Sequence, residues 1–107
     1  MPVSEIVGNP DIFVRSRAPI NLTCIISNSP EPPKFIFWYH NNRMINYDYT
    51  TQTGGYITVQ KDQNRPDVVV SRLFIKNAQV QDNGNFTCSP SNASPVSVSV
   101  HLLQGKQ

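Results

Sequence analysis

The chain has 107 residues, a formal net charge of +2 and 15% charged residues. That length suits one domain whose core is modest enough to gain from a covalent staple. Lys and Arg are scattered without blocks, which argues against a nucleic-acid partner, and no apolar run approaches the ~20 residues a membrane helix needs. Nine prolines, five glycines and many Asn and Ser residues cut the chain into short pieces, the punctuation of an all-β domain. No segment holds helical periodicity over three turns.

In chain order, Val3 to Val14 reads as a first edge strand interrupted near Asn9-Pro10, where proline costs little and discourages foreign pairing. Ile20 to Ile26 follows. Leu22, Cys24 and Ile26 share its inner face by period two, while Asn21, Thr23 and Ile25 point out. Asn28 to Pro33 is a polar, proline-rich loop. Lys34 to His40 is the next strand, with Ile36 and Trp38 inward. Phe35, Phe37 and Tyr39 then fall outward, an unusual cluster for a solvated surface. Arg43 to Tyr47 predicts a short strand, and Gly54-Gly55 a turn. Tyr56 to Lys61 is another strand, and Asp62 to Asp67 a polar turn. Val68 to Ile75 follows with Ser71, Leu73 and Ile75 inward. Val80 to Gly84 forms a tight crossing in which Gly84 permits positive φ. Phe86 and Cys88 then face in, Asn85 and Thr87 out. Val96 to Leu102 alternates strictly and is the clearest strand. Residues 104–107 read as a frayed exit.

Two cysteines alone leave a bridge and two buried thiols equally open. The order Cys24, Trp38, Cys88, with Asp82-Asn83-Gly84-Asn85-Phe86-Thr87-Cys88 leading into the last, resembles an immunoglobulin domain. The resemblance implies an all-β, immunoglobulin-like sandwich of I-set or V-like Greek-key form, with two antiparallel sheets. Its cysteines, on strands B and F, face each other and form one inter-sheet disulfide, Cys24–Cys88, with Trp38 packed on it. Trp38, Leu73 and Phe86 are the expected core. In the chain-entropy model a bridge over so long a loop contributes roughly 4 kcal/mol. It also implies an oxidising compartment. Met1-Pro2-Val3-Ser4-Glu5 lacks the apolar region of a signal peptide. Residues 1–107 therefore read as one domain, with its core at about 12–103, cut from a larger ectodomain. Immunoglobulin domains usually carry tyrosine two residues before the second cysteine, and its hydroxyl bonds nearby backbone. Phe86 keeps the ring and loses that bond, at a cost of ~1 kcal/mol. A weakened corner is expected.

Three N-glycosylation sequons are present: Asn21-Leu22-Thr23, Asn85-Phe86-Thr87 and Asn92-Ala93-Ser94. Chance is the plain alternative in a chain rich in Asn and Ser. Strand parity puts Asn21 and Asn85 on outer faces, where a glycan fits. Pro95 follows the Asn92 sequon and lowers its expected occupancy. The outward Phe35, Phe37 and Tyr39 have two open readings: a partner surface, or a patch covered by neighbours or glycan. His40 and His101 have no ligand pattern around them and read as structural or surface residues. Asp48, Asp62, Asp67 and Asp82 form no pair with catalytic spacing. With no nucleophile elbow and no phosphate loop, the expectation is no enzyme, no metal and no cofactor.

A narrower resemblance lies in Phe37-Trp38-Tyr39-His40-Asn41-Asn42-Arg43-Met44-Ile45-Asn46-Tyr47-Asp48. This block is similar to strands C and C′ of the second immunoglobulin domain of the defective-proboscis-extension-response (Dpr) receptors, which are arthropod neuronal surface proteins. Gly54-Gly55-Tyr56-Ile57-Thr58-Val59, Cys88-Ser89-Pro90-Ser91-Asn92-Ala93 and Val98-Ser99-Val100-His101-Leu102-Leu103-Gln104-Gly105 resemble the strand after it, the F–G region and the domain end. Two departures, Phe86 and a long polar stretch from Lys61 to Val70, fit a divergent member or a relative such as the short two-domain immunoglobulin proteins of nematodes. The resemblance implies a two-domain ectodomain on the outer side of a neuronal plasma membrane. Its first domain binds other immunoglobulin-superfamily receptors through strands G, F, C and C′. This chain is then the membrane-proximal spacer, monomeric by itself and anchored through a segment outside it. Secretion is the alternative location, and direct ligand binding through Phe35, Phe37 and Tyr39 the alternative role.

Overall fold

The computed structural model describes residues 1–104. Among them are nine strands: β1 (Val3–Ile6), β2 (Asp11–Arg15), β3 (Ile20–Ser27), β4 (Ile36–His40), β5 (Arg43–Met44), β6 (Tyr56–Lys61), β7 (Val69–Ile75), β8 (Gly84–Pro90) and β9 (Val96–Leu103). One helix, α1 (Tyr47–Thr53), joins β5 to β6, and a single 3₁₀ turn (Val80–Asp82) precedes β8. The strands form two sheets in the orders β1-β3-β7-β6 and β2-β9-β8-β4-β5. This is the all-β sandwich expected from the sequence, with the Cys24–Cys88 disulfide between its sheets. Beyond Gln104, the expected exit lies outside the described residues.

Three local expectations change. The first edge strand is two strands in different sheets. β1 pairs antiparallel with β3, and β2 pairs parallel with β9, so the second sheet is not wholly antiparallel. Gly8, at φ +102°, lets the chain cross between them. The strand expected from Lys34 starts at Ile36. Pro32 and Pro33 carry no amide hydrogens for a ladder, and the Lys34 amide donates to Ser91 Oγ (2.8 Å) instead. The strand expected over Arg43–Tyr47 stops at Met44, and α1 follows. Asn46 caps it by accepting the Tyr49 amide (3.0 Å), and Gly54 ends it in the left-handed region at φ +69°. Thr50, Thr51 and Thr53 donate their hydroxyls back to carbonyls of Tyr47 and Tyr49 at 2.8–2.9 Å, so residues that favour strands are held in helix.

Elsewhere the period-two reading holds. Leu22, Cys24, Ile26, Trp38, Leu73, Ile75, Phe86, Cys88, Val98 and Val100 are buried in one cluster between the sheets. Two parallel links cross this core. Cys24 pairs with Ser71 in one sheet, and Trp38 pairs with Cys88 in the other. The disulfide joins Cys24 to Cys88 with 6.4 Å between their Cα atoms. Beside it, the Trp38 indole Nε1–H donates to Ser71 Oγ at 3.0 Å, fully buried.

The corner before β8 is closed by residues other than the missing tyrosine. Phe86 is buried, and the His40 ring stacks on it at 4.5 Å. His40 Nε2–H donates to the Asn83 carbonyl (2.8 Å). From α1, the Tyr49 hydroxyl donates to Asp82 Oδ1 (2.8 Å), while Asp82 Oδ2 accepts the Gln79 amide (2.8 Å). Gly84 sits at φ +124°, where a Cβ would collide with the Asn41 side chain. Two donors, from β4 and α1, thus serve the corner where Phe86 lacks a hydroxyl. Burial first, then the hydrogen bond to Asp82 and its charge, push the Tyr49 phenol far above its usual value. The folded state therefore favours the neutral phenol. That stabilisation is present below the ordinary tyrosine pKa of about 10 and is lost as pH rises above it.

Two outcomes follow for stability. Ser71→Ala leaves the buried indole N–H without its acceptor and should cost about 1–3 kcal/mol in urea unfolding; a change under ~0.5 kcal/mol would mean the link carries nothing. Tyr49→Phe strands a buried carboxylate oxygen and should cost about 2 kcal/mol near neutral pH. It should also remove part of the alkaline stability loss above about pH 10, measured by unfolding across pH 7 to 11.

Candidate functional site

The outer face of the five-stranded sheet gathers the outward residues of β2, β9, β8, β4 and β5. Phe37 stands opposite Ser89, and Tyr39 opposite Thr87. The Phe35 and Phe37 rings stack at 4.3 Å, although Phe35 precedes the strand. Ser91 holds it there by donating its amide to the Phe35 carbonyl (2.9 Å). Phe35 is 47% exposed, while Phe37 and Tyr39 are half-buried. Met44, paired with Tyr39 on β5, extends the apolar flank. Next to it runs a polar strip, in which the Thr87 and Ser97 hydroxyls bond each other at 2.7 Å. Tyr39, Asn42, Thr87, Ser89 and Pro95 line a shallow depression of about 260 Å³ there.

The far edge of the face carries a feature the sequence reading missed. Phe13, 64% exposed on β2, stacks on His101 of β9 at 4.9 Å. His101 Nε2 lies 2.9 Å from Asp11 Oδ1. The outward parity of His101 was readable from its strand, but the parallel pairing that brings Phe13 beside it was not.

The sequons divide. Asn21 is exposed on β3, on the outer face of the four-stranded sheet. Asn85 is exposed on β8, on the same face as Phe37 and Tyr39. Its backbone is tied to Asn41 of the turn between β4 and β5, accepting the Asn41 amide (2.8 Å) and donating to Asn41 Oδ1 (2.9 Å). Relative to Tyr39 it sits diagonally, about 7–8 Å away by sheet geometry. Asn92 is half-buried and engaged: its Nδ2 donates to Ser29 Oγ at 3.0 Å, and Ser29 Oγ donates to the Glu31 carbonyl at 2.6 Å. This chain of bonds ties the turn before β9 to the loop before β4. Trp38, Leu73 and Phe86 lie in the core, at most 1% exposed. Among the described residues, no group of three His, Cys, Asp or Glu gathers to hold a metal ion, and no helix is long and apolar enough to cross a membrane.

Residues 2–92 match the immunoglobulin domain family. The chain belongs to that family. Its members are non-catalytic recognition modules. Kin of IRRE-like protein 3 of Mus musculus and of Homo sapiens is 31% identical over 87 residues, which is 81% of this chain. The chain spans about a tenth of the length of these relatives, 10% in each. Among solved structures, Dpr2 Ig1-Ig2 in complex with DIP-Theta Ig1-Ig3 superposes with a TM-score of 0.80 at 24% identity, over 96% of this chain and 50% of that one. The ZIG-8 IG1 homodimer superposes with a TM-score of 0.62 at 20% identity, over 94% of this chain and 84% of that one. At these identities the likeness to the two structures is one of fold.

Asn92→Ala should cost about 1 kcal/mol in thermal or urea unfolding, because it cuts one of the bonds joining two loops. Accelerated amide exchange at Ser29 and Ser91 should accompany it. Unchanged exchange at both would show that Asn92 does not hold these loops.

Proposed function

We propose that this domain is a non-catalytic module of a neuronal cell-surface recognition receptor, the membrane-proximal second domain of a Dpr-like ectodomain. Its role there is to space and orient a neighbouring domain that meets other immunoglobulin-superfamily receptors. The resemblance of the Phe37 to Asp48 block motivates the assignment. The Dpr2 structure, a receptor pair captured in complex, fits the same kind of partner. The disulfide suits the oxidising, extracellular side of the membrane.

One observation carries the spacer reading: Asn85 stands exposed on the face that bears Phe37 and Tyr39. A sugar there occupies the approach to the aromatic flank. An interface needs about 800 Å² per partner, and a glycan in the middle of the sheet denies that area. A second reading has its own support. Phe13, Phe35 and Met44 are all well exposed on this sheet, so a bare Asn85 leaves an apolar surface fit for a protein ligand.

Secreted from insect cells, the domain should carry sugar on Asn85, sediment as a monomer and show no binding to immunoglobulin receptors at about micromolar concentration, a Kd worth roughly 8 kcal/mol. In an ectodomain containing it, Phe37→Ala should barely change partner affinity. Truncating an interface anchor typically costs about 2 kcal/mol or more. A loss of that size in a folded variant, with Asn85 bare, would replace the spacer by the direct binder.

A further inference from the structure

The outer face of the four-stranded sheet carries a row of three residues from three strands. Asn21 of β3 pairs with Phe74 of β7, and Phe74 pairs with Tyr56 of β6. All three side chains project to the same, solvent side, as residues directly opposite in a sheet do. The Phe74 and Tyr56 rings stack at 5.0 Å with 24° between their planes. They form one aromatic platform that begins beside Asn21. Phe74 is half-buried and Tyr56 is 54% exposed, so the platform meets water. On the other flank of Asn21 the register of β1 stops at Ile6 opposite Cys24, and among the described residues no strand pairs beside it. Thr23, which completes the sequon, projects on the same face.

We propose that Asn21 is an N-glycan acceptor whose first N-acetylglucosamine lies on the Phe74–Tyr56 platform, making that sugar part of the folded sheet. The attachment step is a glycosyl transfer from a lipid-linked oligosaccharide pyrophosphate, catalysed by the transferase of the secretory pathway. Asn21 Nδ2 forms a bond to the anomeric carbon as the bond from that carbon to the pyrophosphate oxygen breaks. The lipid pyrophosphate leaves, one amide proton passes to the enzyme's base, and nothing is oxidised or reduced. The fit is geometric and electronic. Directly opposed residues have Cβ atoms about 4.5–5.5 Å apart, so a sugar on Asn21 starts within reach of the Phe74 ring. A pyranose presents a face of C–H bonds, and the aromatic face is the negative pole of the ring quadrupole. Asn85 has no such neighbour: across the ladder it meets Ser99, with Asn41 on its other side. A sugar on Asn85 is a solvated shield, while one on Asn21 is an ordered element. The two sites are independent, so failure at one leaves the other standing.

The test uses the secreted chain carrying Asn85→Gln and high-mannose glycans. Peptide mapping should find Asn21 occupied. Thermal unfolding then compares the full glycan, the single N-acetylglucosamine left by endoglycosidase, and the Asn21→Gln chain. The first two should melt together, about 4 °C above the third, the scale of one aromatic contact in a domain this size. In a Phe74→Thr background that gap should fall within about 1 °C. Tyr56→Ser, at an exposed ring, is the second variant should Phe74→Thr fold poorly, and it should narrow the gap in the same sense. Upfield ring-current shifts of the sugar C–H protons, read by NMR on the unaltered sheet, need no variant. A bare Asn21 in secreted protein overturns the proposal. So does a gap that survives in the folded Phe74→Thr or Tyr56→Ser variant, or sugar protons at their free positions.

Discussion

The two sheets are held in register by a pair of links that cross the core side by side. One is covalent, Cys24 to Cys88; the other is the buried hydrogen bond from Trp38 to Ser71. Because Cys24 pairs with Ser71 and Trp38 with Cys88, the four residues close a ring through both sheets. Fixing these inward positions fixes every outward one, since successive side chains in a strand alternate. Asn21 and Thr23 flank Leu22, Asn85 and Thr87 flank Phe86, and Phe37 and Tyr39 flank Trp38. The surface chemistry of the domain is thus the complement of its core. A one-residue slip would bury the sequons and expose the tryptophan.

The lower corner is closed by hydrogen bonds from the neighbours of Phe86. Phe86 has no hydroxyl to offer the backbone upstream, and His40 donates to the Asn83 carbonyl while packing on the same ring. Asp82, almost fully buried, needs donors for both oxygens and finds them in Tyr49 and the Gln79 amide. A buried carboxylate without partners costs several kcal/mol, so α1 is tied to the corner through Tyr49. The short helix between β5 and β6 therefore has a structural reason to exist, beyond bridging a gap.

Each sheet presents outward aromatics next to a sequon: Phe74 and Tyr56 beside Asn21, Phe37 and Tyr39 near Asn85. An exposed aromatic group either meets a partner or needs cover. Carbohydrate is one way to cover it without closing the face to water. On the five-stranded sheet the Phe13–His101 edge, with Phe13 64% exposed, is a further apolar surface that no sequon adjoins in the ladder.

The sequence by itself determined the sandwich, the inward set and the outward set. These follow from local period-two alternation together with the resemblance carried by Cys24, Trp38 and Cys88. It did not determine what stands beside what. The Trp38–Ser71 link, the Phe13–His101 stack and the Asn21–Phe74–Tyr56 row each join strands far apart in the chain, and pairing register is a property of the closed sheet. Asn92 lies in a turn, where alternation says nothing, so its inward bond to Ser29 was hidden. The helix α1 was hidden for another reason. Two turns are too short for periodicity, Asn46 reads as part of a strand and Gly54 as a turn until they cap the helix, and its threonines favour strands until their hydroxyls find helical carbonyls. Local alternation decides which way a side chain points. Only the packed sheets decide what it meets there.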